Sequence, residues 1–118
     1  MKLSGIAVSM MLTATTLALS ACVTTADKLV QTVPVGAGTS RLPPLPFVAC
    51  VKAKWRLRPL KIGEYSPNAD GDVVTVHGAS GQTMLLIDAE PSANGTGYTI
   101  YGDIVGAAAY VTDAHTCD

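Results

Sequence analysis

The chain has 118 residues, a formal net charge of −1 and 48% hydrophobic residues. That length allows one small domain, and the negative balance excludes a nucleic-acid-binding protein, which needs a basic footprint. Much of the positive mean hydropathy, +0.34, sits in the first 21 residues. From Asn68 onward no apolar run is long enough to span a bilayer.

The chain opens with Lys2, then an apolar stretch from Ile6 to about Leu19, then Leu19-Ser20-Ala21-Cys22. A positive start, a short apolar core and small residues before a cut site make a secretory signal peptide over 1–21. The stretch is too short for a spanning helix. The box Leu19-Ser20-Ala21-Cys22 resembles a bacterial lipoprotein signal, and the resemblance implies lipidation of Cys22. Val23 stands where an aspartate would suggest retention in the inner membrane. The resemblance therefore points to the outer membrane, with the domain facing the periplasm. One acyl chain holds a protein only marginally, whereas a lipoprotein cysteine carries several.

Residues 22–45 follow as a tether. Thr, Gly and Ser keep it polar and flexible, and Pro34, Pro43 and Pro44 stiffen its far part. The domain is expected over 46–118. Within it Cys50 and Cys117 are an even pair in an exported chain of under 100 mature residues, which reads as a disulfide. His115 beside Cys117 is too little for a zinc site.

Two periodicities compete over 47–57. Val51, Ala53, Trp55 and Leu57 alternate with Lys52, Lys54, Arg56 and Arg58, as in a strand. Phe47, Val48, Val51 and Trp55 fall near i, i+4 and i+8, as in a helix that Pro46 would start. Downstream, 60–65 suits a short strand, and 67–72 is rich in turn residues. The β-branched run 73–77 suits a second strand. After a turn at 78–81, Met84-Leu85-Leu86-Ile87 suits a central strand buried on both sides. A third turn spans 91–97, where Asn94-Gly95 is a hairpin signal. Residues 98–101 close the meander. Ile104 to Thr116 reads as a terminal helix capped by Asp103, with Val105, Ala108, Ala109 and Val111 on its packed face.

Charge is segregated along the chain. Six of the seven mature Lys and Arg lie between Arg41 and Lys61, where no acid occurs; from Glu64 to Asp118 there are eight acids and no Lys or Arg. Either the fold pairs the two halves across its surface, or a basic face meets an anionic partner such as lipid headgroups or a cell-wall carboxylate. Lys52, Lys54, Trp55, Arg56 and Arg58 are the partner-binding candidates. Trp55, the only tryptophan, is either part of an exposed aromatic-basic patch or a core residue.

No catalytic set emerges. Asn68-Ala69-Asp70-Gly71-Asp72 resembles half a calcium loop but has His77 where a bidentate Glu belongs. Gly78-Ala79-Ser80-Gly81 lacks the spacing of a nucleophile elbow. Asp88 and Glu90 can face one way on a strand, and the bland reading is a solvated strand end. Asn94-Gly95-Thr96 matches a glycosylation sequon, which a bacterial signal turns into a hairpin turn. We therefore expect no enzyme, no cofactor, no metal and no small-molecule substrate.

Cys50-Val51-Lys52-Ala53-Lys54-Trp55 and the stretch Tyr110 to Cys117 resemble a group of small proteobacterial lipoproteins. That group has a lipobox, a tether, a Cys-x-x-x-Lys-Trp helix, a β-meander and a C-terminal helix ending in Cys. The resemblance covers 47–117 and favours the helix over 46–55; Arg56-Leu57-Arg58 departs from it. It implies a disulfide-bridged domain of helices and strands, and the residue patterns above give its arrangement as two-layer α+β: N-terminal helix, three- to four-stranded antiparallel meander, C-terminal helix, disulfide-stapled. It transfers no activity. The expectation is a non-enzymatic interaction module, lipid-anchored in the membrane, whose partner is an envelope protein or cell-wall component. The alternatives are a disulfide-rigid inhibitor of a lytic enzyme such as lysozyme, with an exposed loop at 94–97 or 78–81, and a phage or mobile-element exclusion lipoprotein.

Overall fold

The computed structural model describes residues 26–65, 71–102 and 105–118. Cys22, the signal segment, most of the 67–72 turn and Asp103 lie outside the described residues. The domain is α+β, a five-stranded antiparallel sheet with strand order β1-β5-β4-β3-β2. Its elements in chain order are α1 (Ala26–Leu29), β1 (Gly36–Ser40), α2 (Pro44–Trp55), β2 (Lys61–Tyr65), β3 (Asp72–His77), β4 (Thr83–Ser92), β5 (Gly95–Gly102) and α3 (Ala107–His115).

The run Met84-Leu85-Leu86-Ile87 does lie in the central strand, β4, and its alternation defines both faces. Leu85, Ile87 and Ala89 join Val74, Val76, Tyr98 and Ile100 under the helices. Leu86 points the other way and packs with Val73 and Leu29 of α1. A strand buried on both faces reads as a continuous apolar run, and this one does.

Helix periodicity prevails over strand periodicity at 44–55. Phe47, Val48, Val51 and Trp55 are buried, while Ala53 and Leu57, which a strand would place on the same face as Trp55, are exposed. The stripe is the i, i+4, i+8 face of a helix on a sheet. Pro44 and Pro46 fit its first turn, where the missing N–H costs no hydrogen bond. Phe47 stacks on Tyr98 with ring centroids 4.9 Å apart, and Trp55 meets Tyr110 edge-on at 5.3 Å. The Trp55 indole also donates to the Tyr110 carbonyl at 3.2 Å, so its polar atom enters the core satisfied.

Four expectations need correction. The meander has five strands rather than three or four, because Gly36–Ser40, placed in the tether by sequence, pairs with β5 from Gly36↔Ile100 to Ser40↔Thr96. The helix of the Cys50 segment is consequently not the first element. The turn expected over 91–97 is only Ala93 and Asn94, since Ser92 and Gly95 already pair. Finally, α3 starts at Ala107 behind Gly106, whose φ of 94° is a glycine conformation. Val105 is fully exposed rather than packed.

Cys50 of α2 and Cys117, just past α3, form the expected disulfide, with Cα atoms 5.8 Å apart. It pins the two helices to each other. Around it the C-terminal residues clasp the loop after β1. Ser40 Oγ donates to the Cys117 carbonyl at 2.7 Å, and the Arg41 N–H donates to the Asp118 carboxylate at 3.0 Å. The Arg41 backbone and side chain together hold the Asp118 carboxyl below the usual range. Gly95 passes so close that a Cβ there would lie 2.0 Å from the Ser40 carbonyl oxygen, and its φ is 149°. Nothing flexible can yield there. Gly95→Ala is therefore expected to destabilise the domain by at least about 2–3 kcal/mol, read as a lowered urea midpoint; an unchanged midpoint would contradict this packing.

Candidate interaction surface

Antiparallel connectivity sends the end of α2, the start of β2, the end of β3, the start of β4 and the start of α3 to one end of the sheet. Sequence chemistry makes this end unlike the rest. The link 56–60 carries Leu57, Pro59 and Leu60 between cations, and Val105 caps the approach to α3. Two open clefts of about 580 Å³ each share Pro59 and Leu60 as walls. One continues over Ile62 and Gly63 to His77. The other continues over Met84 to Ala109 and Tyr110. Leu57 is 88% exposed beside them, and Val33 and Val35, also exposed, lead into β1 at the same end.

The candidate cations divide into two sets. Lys52 pairs with Glu64 of β2 at 2.9 Å. Arg58 grips Asp113 of α3 with two nitrogens, at 2.6 and 2.9 Å, and lies 5.2 Å from the Tyr110 ring centroid. The hydrogen bond to Asp113 raises the Arg58 pKa, against the opposing effect of burial. These pairs join the basic segment to the acidic half, so the charge segregation is in part structural. Trp55 is fully buried, so the exposed aromatic-basic patch does not form; the indole serves the core. Lys54, Arg56 and Lys61 remain. Among the described residues none of the three takes part in an ion pair, and Arg56 and Lys61 are exposed. Leu57, Pro59 and Leu60 are members of this surface that charge patterning missed; a single apolar residue between arginines carries no sequence signal of exposure.

The other sequence features are also placed. His77 bonds Thr75 Oγ1 at 2.8 Å and the Gly81 carbonyl at 3.3 Å, whereas Ser80 donates to Gln82. Neither contact joins His77 to Ser80. His115 Nδ1 meets the Tyr98 hydroxyl at 2.5 Å, and burial, then Asp118, pushes the Tyr98 pKa up. Among the described residues no group of three His, Cys, Asp or Glu could hold a metal, and no helix is long and apolar enough to cross a membrane.

Asp88 and Glu90 do share a face, the one turned away from α2 and α3, paired with Thr99 and Gly97 of β5. Burial pushes the Asp88 carboxyl up, and the Glu90 charge adds to it. A folded pKa above the unfolded value means the folded state disfavours the carboxylate. Stability from this group is present at low pH and lost as pH rises through the folded pKa. Asp88→Asn should therefore raise stability at neutral pH by a few tenths of a kcal/mol. The gain should vanish in thermal melts below the unfolded carboxylate range.

Comparisons with protein-family models, with curated proteins and with solved structures found no match.

Proposed function

We propose that the chain is a lipoprotein of the bacterial outer membrane, anchored through Cys22, whose periplasmic domain is a non-enzymatic interaction module of the envelope. The lipobox carries the anchoring half of this reading. The observation that carries the interaction half is the cleft-bearing end around Leu60. There exposed apolar side chains stand with Lys54, Arg56 and Lys61, which make no ion pair among the described residues. Isolated surface leucines need no explanation, but a contiguous apolar patch rimmed by charge marks an interaction site.

Mass spectrometry of the chain purified from envelopes tests the anchor: a lipid adduct on Cys22, lost in Cys22→Ser, is expected, and an unmodified mature chain sinks it. Photo-crosslinking from position 57 in intact cells tests the interface. Capture of an envelope component, protein or lipid, from position 57 but not from position 94 is expected; equal capture from both, or from neither, removes the assignment.

One observation favours an inhibitor of a lytic enzyme as the second reading. The Ala93-Asn94 turn is a rigid, exposed two-residue tip, held at its base by Gly95 against the Ser40 backbone. Inhibition of a lysozyme panel, abolished by insertion at the tip, is its signature. No inhibition at micromolar protein disposes of it.

A further inference from the structure

We infer that the Leu60 end of the domain is a membrane-docking surface for an anionic bilayer, the same lipid surface that receives the anchor, and so orients the domain on it. This rests on the lipid-anchored reading and adds a second point of attachment.

The chemistry of the surface favours lipid over a protein partner. Leu57 and Val105 protrude from the links that flank the clefts, 88% and fully exposed. Side chains standing clear of the domain suit insertion at headgroup depth, where interfacial elements bury apolar groups about 5–10 Å into the boundary. Lys61 lines one cleft, and Lys54 and Arg56 lie at the end of α2 next to Leu57; none of the three makes an ion pair among the described residues. Lysine is depleted in protein–protein interfaces, whereas at a bilayer its apolar stem lies along the acyl boundary and its ammonium reaches the phosphates.

Charge complementarity also sets the orientation. Glu90 near the end of β4, and Asp118 beside Arg41, sit at the opposite end of the strands from the three cations. A domain with its cations on an anionic surface keeps those acids away from it. The entry to β1 lies at this same end, where Val35 N–H donates to the Ile100 carbonyl at 2.8 Å and Gly36 pairs with Ile100. The exposed Val33 lies just before that junction. The Ala93-Asn94 hairpin is then displayed away from the lipid.

The test is hydrogen exchange on the full-length product purified from envelopes, reconstituted into phosphatidylcholine vesicles with and without phosphatidylglycerol. Protection of amides in 54–62 and 105–109 is expected in the anionic vesicles alone, and should fade at high salt. Each cation near an anionic surface contributes about fivefold to the attraction. Arg56→Gln with Lys61→Gln should therefore weaken docking about 25-fold and return those segments to solution-like exchange. Both side chains are exposed and make no ion pair among the described residues, so the double variant should melt at the parent temperature. Equal exchange in the two vesicle types overturns the proposal, as does protection confined to 92–96, or crosslinking of position 57 to protein but not lipid. Failure of the anchor reads out separately, as an unmodified Cys22 in the mass spectrum of the same sample.

Discussion

Trp55→Ala is expected to cost about 3–5 kcal/mol of unfolding free energy, a large share of the roughly 5–15 kcal/mol that holds such a domain together. Two losses combine. The indole is fully buried among α2, α3 and the sheet, so its removal leaves a cavity that helices pinned by a disulfide cannot close. The Tyr110 carbonyl also loses the indole donor, the bond it accepts in addition to its helical one inside α3. Trp55→Phe separates the two, keeping most of the packing while deleting the hydrogen bond, and should cost about 1–2 kcal/mol. Urea melts of both variants check this. A Trp55→Ala loss below about 1 kcal/mol would mean that Trp55 is not a core residue, and would restore it as a surface candidate.

Removing the Cys50–Cys117 disulfide should be of similar size. On the chain-entropy view, a crosslink between residues 67 apart constrains the unfolded chain by about 4 kcal/mol. Cys50→Ala with Cys117→Ala is the cleaner test, because it leaves no thiol to reoxidise. The native hydrogen bond from Ser40 reaches the Cys117 backbone carbonyl rather than its sulfur, so the variant retains it. The expected result is a folded domain whose denaturant midpoint collapses while its far-UV spectrum at zero denaturant stays near parental. A midpoint unchanged by the double substitution or by reductant would remove the disulfide from the account of stability.

Residues that bury large apolar groups in regular spacing were readable from the sequence. The run at 84–87 marked the central strand and the cysteine pair marked the staple, while Phe47, Val51 and Trp55 offered α2 against a competing strand alternation. What escaped was structure made by contact rather than by propensity. Gly36-Ala37-Gly38-Thr39-Ser40 has almost no strand preference. Its glycines are there because neighbours occupy the space of a side chain: a Cβ on Gly36 would lie 2.8 Å from Val111, and one on Gly38 would lie 2.6 Å from the Tyr98 hydroxyl. In a sequence such residues look like linker. The start of α3 was missed for a related reason, since Gly106 rather than a polar cap sets it. At the proposed interaction surface, the basic run was legible as charge, but which cations pair with described acids was not. That depended on Glu64 and Asp113 arriving from elsewhere in the chain.

The clasp between the β1 loop and the C-terminal residues has a consequence for the order of folding. Strands β2 to β5 pair with sequence neighbours through short turns, so they close small loops and can assemble early. By contrast, β1 pairs only with β5, Ser40 and Arg41 bond residues 77 positions away, and Cys50 waits for Cys117. For a chain that emerges N-terminus first, β1 must therefore stay unpaired until β5, late in the domain, is available. Over that interval Gly36–Ser40, poor in apolar side chains and in β-propensity, gives a nascent chain little with which to mispair. The glycine-rich composition that disguised the strand thus also suits it to waiting.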